Sequence, residues 1–303
     1  MWPAFYFVAL LVSVRTDDLK FTCVQSVRTL AQDAMKMSSM MRPMQQAAAF
    51  LAVMMATAVL LPAAAETPGI SARQRNEKKI FTDGEIIDGF LKTAFGAEYH
   101  LAGRVDRIRK YQMPVRIYIE GSSRADRRTQ LGKVVKDIAV RVQHLDIAMA
   151  DKRDDANAII TLVRERDLQK TISTFYGNEK AKEIRDSLDP QCLSGFRKNE
   201  NYEIQRSDVI LTVDNGDFVF LDCAYEELLQ SLGPINDTDS VPWTMFNDNV
   251  SMGFFDVYDQ YILNILYDPR IKAGMTVDEV RGQLPSVMPD VRAWVAKVNN
   301  LPK

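Results

Sequence analysis

The sequence predicts an α+β protein with one mixed sheet and a block of C-terminal helices, and three observations predict it. A segment of period two ("VRIYIE"), the stretch "NAIITLV" and an apolar run ("SDVILTVD") read as strands. Between them lie stretches with the 3.6-residue period of helices, one opened by Thr82 with Glu85 and another by Thr276 with Glu279, both capping boxes. From Glu226 on, the chain carries helical periodicity and loops only.

Taken in order, "FTDGEIIDGFLKTAFG" is a helix with Ile86, Ile87, Phe90, Leu91 and Ala94 on one face and Gly96 as its stop. "MPVRIYIEG" is a strand. "QLGKVVKDIAVRVQHLDIAM" is an amphipathic helix that includes His144, and "NAIITLVRE" is a second strand. "TISTFYGNEKAKEIRDSLD" reads as a loop followed by a helix, and "SDVILTVD" as a third strand. Asn215-Gly216 is a hairpin signal, so "DFVFLDC" is a fourth strand or the run-in to the helix after it. "FFDVYDQYILNILYDPR" is a long amphipathic helix. "MTVDEVRGQL" and "DVRAWVAKVNN" are two short terminal helices. No internal repeat and no glycine-rich phosphate loop occurs.

The 303 residues are 47% hydrophobic and 26% charged with net charge -2, an ordinary globular balance that does not point to nucleic acid. The beginning differs. Arg42, an apolar run from Ala47 to Leu61 and "PAAAE" follow the pattern of a secretory signal cleaved after Ala65. The run is too short for a comfortable membrane span; an uncleaved anchor is the alternative. We therefore expect residues 1–40 to be a gene-model extension, 41–65 a signal peptide, 66–80 a flexible lead and 81–303 a single domain. The expected location is the periplasm or the exterior. Residues 1–65 carry five basic and three acidic residues, so the remainder has net charge -4. Its two cysteines, Cys192 and Cys223, read as one disulfide in an exported chain, against two buried thiols.

"EELLQSLGPIND", residues 226–237, has the spacing of a zinc-protease helix. In H-E-x-x-H two histidines one turn apart face one metal, and the glutamate polarises its water. In the extended form a glycine turns the chain so that a third ligand returns, and a methionine turn lies below. Here Glu226 and Gln230 stand at the histidine positions, Glu227 at the general base, Gly233 at the turn, Asn236 at the third ligand with Asp237 beside it, and Met245 of "WTMFND" at the methionine turn. The order and spacing resemble the zincin-like (metzincin-type) fold. Glu227, Gly233 and Met245 match that motif, and the three metal ligands do not. The chain has only two histidines, His100 and His144. One carboxylate and two amides suit a hard cation such as Ca²⁺ better than Zn²⁺, and only weakly; Asp237 and Asp239 add charge. The expectation is no bound metal and no cofactor. The same stretch also reads as an ordinary amphipathic helix, with Leu228, Leu229 and Leu232 buried, Glu226 and Gln230 in water and Gly233 as C-cap.

"CAYEELLQSLGPINDTDSVPWTMFND" and "YDQYILNILYDPRIKAGMT" resemble an exported bacterial domain-of-unknown-function family, number twenty-nine twenty-seven, over roughly residues 80–295. The resemblance implies export and no established activity. The expected partner is an unidentified envelope protein or peptide, with no nucleic acid and no membrane span after cleavage. A cationic group (Arg104, Arg107, Arg109, Lys110, Arg116, Arg124, Arg127, Arg128) reads as a solvated face or an anion site. The aromatic group after the motif (Trp243, Phe246, Phe254, Phe255, Tyr258, Tyr261) reads as core. Two functions follow: an inactive metallopeptidase-like binding or scaffold module, or a hydrolase with Glu227 as general base.

Overall fold

The structure is a computed structural model, and it describes residues 68–96, 106–123, 126–188 and 191–302. The expected signal and cleavage site, His100, Arg104 and Arg124 lie outside the described residues. Residues 66–303 form one compact unit. Its described elements are α1 (Pro68–Asn76), α2 (Asp83–Ala94), β1 (Val115–Gly121), α3 (Arg127–Arg141), β2 (Ile147–Met149), β3 (Ala158–Val163), α4 (Glu165–Tyr176), α5 (Asn178–Leu188), β4 (Cys192–Lys198), β5 (Ile204–Thr212), α6 (Asp217–Gln230), α7 (Val257–Tyr267) and α8 (Val277–Val298). This is the mixed α+β class expected.

The sheet order is β2-β1-β3-β5-β4. Four strands are parallel, and β4 runs antiparallel to β5 on the edge. An interior strand with a core packed on each face of the sheet reads as a solid apolar run. That is why β5 is buried from Ser207 to Thr212. Val209 and Leu211 enter the main core with α2, α3, α6, α7 and α8, whereas Ile210 faces a smaller core made by Leu168, Ile172, Ala181 and Ile184 of α4 and α5. Both capping boxes form.

Five local expectations are corrected. The lead is not all flexible: Pro68–Asn76 is helical, with Pro68 at the first position, where its missing N–H costs nothing, and Ile70 buried. Asn215-Gly216 makes no hairpin; Gly216, at φ 91°, is the N-cap of α6, so "DFVFLDC" is helix. His144 lies beyond the end of α3, in a turn at φ 65°. The two terminal helices are one, running through Pro285 and Pro289. Proline removes a helical hydrogen bond, but Val280, Leu284, Val287, Met288, Val291 and Val295 keep one buried face across both prolines. Finally, α7 is buried along all 11 residues rather than amphipathic, and so forms the centre of the helical layer.

The cationic group also changes meaning. Lys110 is only 4% exposed and donates to the carbonyls of Leu266 and Ile271 at 2.7 Å, capping the end of α7. Burial pushes its ammonium down to about 8. Arg109 is buried too and donates to the carbonyls of Ala94 (3.1 Å) and Gly96 (2.7 Å) at the end of α2. Arg116 pairs with Asp146, and Arg127 with Asp217. These residues are internal helix caps and paired cations, neither a solvated face nor an anion site. The aromatic group is core, with Phe246, Phe254, Phe255, Tyr258 and Tyr261 buried.

Candidate functional site

The motif sits on α6, which leaves β5 through a short turn and returns under the sheet. Cys192 at the start of β4 and Cys223 of α6 form the expected disulfide, with Cα atoms 5.9 Å apart. The far end of α6 is held by side chains. Ser207 of β5 donates to the Ser231 carbonyl at 2.8 Å, and Tyr267 of α7 to the Leu232 carbonyl at 2.9 Å. Gly233 then turns the chain at φ 140°. A β-carbon there would stand 2.2 Å from the backbone oxygen of Arg109, so the motif turn is fixed both by its dihedral and by close packing.

Beyond the turn the predicted positions separate into two groups. Asn236 donates its amide to the Lys92 carbonyl at 2.8 Å, and its side chain packs against Gly96. It caps the end of α2, which is a structural task. Glu226 and Asp237 do converge, joined by Asp248: one carboxylate oxygen of each lies within 4.8 Å of the others. Gln230, 3% exposed, donates to Asp237 at 2.7 Å and accepts from Ser194 at 3.4 Å. Glu227 is 7% exposed, on the inner side of the helix. The reading in which Gln230 faces water is therefore wrong: two polar side chains of α6 are held inside the protein.

Half-buried Glu226 has its carboxyl raised well above the usual range. Burial is the largest cause, and Glu227, Asp237, Asp222 and Asp248 add repulsion. Asp248 is the member that sequence reasoning missed; Asp239 stood in its place. The signal was its neighbourhood, since Asp248 ends the "WTMFND" stretch that carries Met245.

Met245 is buried in a loop that α7 fixes. Asp259 accepts from the Thr244 hydroxyl at 2.5 Å and the Met245 N–H at 2.8 Å. Asp256 caps α7 by accepting from the N–H groups of Tyr258 (2.7 Å) and Asp259 (3.1 Å). Both carboxyls are buried and burial raises both, Asp256 furthest, with repulsion from Asp259 adding to it. Asp259 is the acceptor for the loop. A raised carboxyl contributes stability that is complete below the usual aspartate range and is lost as pH rises through the raised value. Asp256→Asn retains the cap and supplies an amide donor that does not titrate. Its melting profile as pH rises above the usual aspartate range is expected to be flatter than that of the parent, and a profile parallel to the parent's would refute a raised Asp256 carboxyl. Asp259→Asn turns a donor toward two N–H or O–H groups and is expected to cost roughly 3 kcal/mol in urea unfolding.

The donor set does not fit zinc. Among the described residues no histidine is near the motif: His144 lines a separate cavity with Asp268 and Trp294. The amides of Gln230 and Asn236 are engaged in protein hydrogen bonds. Residues 83–286 match the family described as a protein of unknown function (DUF2927), and the chain belongs to that family. No curated protein matches, and no solved structure matches.

Proposed function

We propose that this chain is an exported, metallopeptidase-like module of the cell envelope that binds a protein or peptide without hydrolysing it. One observation carries the reading: two of the three positions where a zincin needs a metal ligand are already tied into the protein, Gln230 to Asp237 and Asn236 to the Lys92 carbonyl. The element order supports the zincin-like comparison, with strand β5, glutamate helix α6, the Gly233 turn, the Met245 loop and C-terminal helices following in sequence. The disulfide supports an oxidising compartment, periplasm or exterior. No helix among the described residues is long and apolar enough to cross a membrane.

The experiment is a peptidase screen of the chain beside Glu227→Gln. Equal, background-level turnover is expected. Turnover lost in Glu227→Gln would overturn the reading. N-terminal sequencing of protein recovered from the periplasm is expected to begin at Glu66; an intact leader would contradict cleavage.

A second reading has its own support. Glu226, Asp237 and Asp248 place three carboxylates together, a donor set for a hard cation such as Ca²⁺. In that reading the cluster serves a hydrolase with Glu227 as general base.

A further inference from the structure

A trough of about 910 Å³ is lined by none of the motif's own residues. It runs between the C-terminal half of α8, the residues that follow α8, and the segment joining α1 to α2. Phe81, Tyr261, Ala296 and Leu301 line it, and Ile80, 74% exposed, stands at its mouth. A single exposed isoleucine is ordinary, but this one continues an apolar lining rather than standing alone. Among the described residues the charged lining consists of Lys79, Arg292 and Lys297, with no carboxylate side chain.

The three cations are not equivalent. Arg292 is satisfied: it donates to the Asp83 carboxylate at 2.5 Å and to the Phe81 carbonyl at 2.8 Å, and lies over the Tyr261 ring. It builds the wall. Lys79 and Lys297 make no ion pair among the described residues, and both are exposed. Lys297 rests over the Trp294 ring, 5.4 Å from its centre. Two exposed ammonium groups without a direct ion pair therefore flank an apolar channel, Glu77 lying within electrostatic reach of Lys79.

That combination selects the ligand. An extended peptide would bring backbone N–H and C=O groups into a lining with few polar partners, at a cost for each one left unpaired. A long hydrocarbon brings none, and one terminal anion answers both lysines. The volume lies within the range of small-molecule sites, about 300–1,000 Å³. We propose that the trough binds a single-chain anionic amphiphile, a long-chain carboxylate. Its tail lies against Phe81, Ala296 and Leu301, and its head lies between Lys79 and Lys297. The site uses no residue of α6 and stands whether or not the motif is inactive.

The test is a titration of the purified full chain with a fluorescent long-chain polyene fatty acid. Oleate and oleyl alcohol serve as competitors, all below their aggregation thresholds. Saturable binding is expected, displaced by oleate and about tenfold less well by the alcohol. Ala296→Trp, which fills a half-buried wall position, is expected to abolish it. Lys79→Glu with Lys297→Glu, both exposed and thus independent of folding, is expected to weaken it roughly tenfold. Three results would overturn the proposal: no saturable binding, equal displacement by oleate and the alcohol together with an unaffected charge reversal, or binding seen only to anionic vesicles, which would mark a membrane surface.

Discussion

Gly233→Ala is expected to destabilise the protein by roughly 3 kcal/mol or more in urea unfolding. Two costs add. A non-glycine residue at φ 140° is strained, at about 1–3 kcal/mol, and the new β-carbon meets the Arg109 backbone oxygen at 2.2 Å. A backbone atom cannot move aside as the end of a flexible side chain can. Gly216→Ala is the matched control. It also has positive φ, 91°, but nothing lies within 4 Å of its β-carbon, so only the strain, about 1 kcal/mol, is expected. Equal losses for the two variants would show that Gly233 is a conformational requirement alone and that the motif turn does not pack against the Arg109 segment.

Breaking Cys192–Cys223 is expected to cost a further roughly 3–4 kcal/mol. The bond closes a loop over a sequence separation of 31, and the loop-entropy relation gives that value. The double variant Cys192→Ser with Cys223→Ser and the reduced parent are expected to unfold at the same, lower urea concentration. The loop contains β4 and β5, so the edge strand is expected to lose amide protection first. Unchanged stability on reduction would mean that β4 is held by its pairing to β5 alone.

The capping boxes, the solid apolar β5 and the disulfide were legible because each depends on neighbouring residues or on a small count of one residue type. The edge strand β4 was not. "CLSGFRK" has a glycine at its centre and little alternation, and it becomes a strand through pairing with β5. The same holds for α8, where two short helices were expected and a continuous buried apolar face carries one helix through Pro285 and Pro289. At the site, spacing along α6 correctly singled out Glu226, Gln230 and Asp237 as near neighbours. It misassigned Asn236, because the end of α2 that it caps is 144 residues away in sequence. Asp248 was hidden for the same reason: its approach to Glu226 depends on an irregular loop that α7 positions. The cations Arg109 and Lys110 looked like surface because a run of basic residues carries no sign of the helix ends it will cap.

Gln230 is buried beside the carboxylates that Glu226, Asp237 and Asp248 bring together, and its amide is taken up by Asp237. Metal content tests the central claim most directly. Protein purified without chelator is analysed by elemental mass spectrometry, beside Glu226→Ala with Asp237→Ala. The account predicts far less than one metal per chain in both, and no change in melting temperature with added Zn²⁺ or Ca²⁺. One metal per chain in the parent, lost in the double variant, would contradict it and establish the carboxylate cluster as a working metal centre.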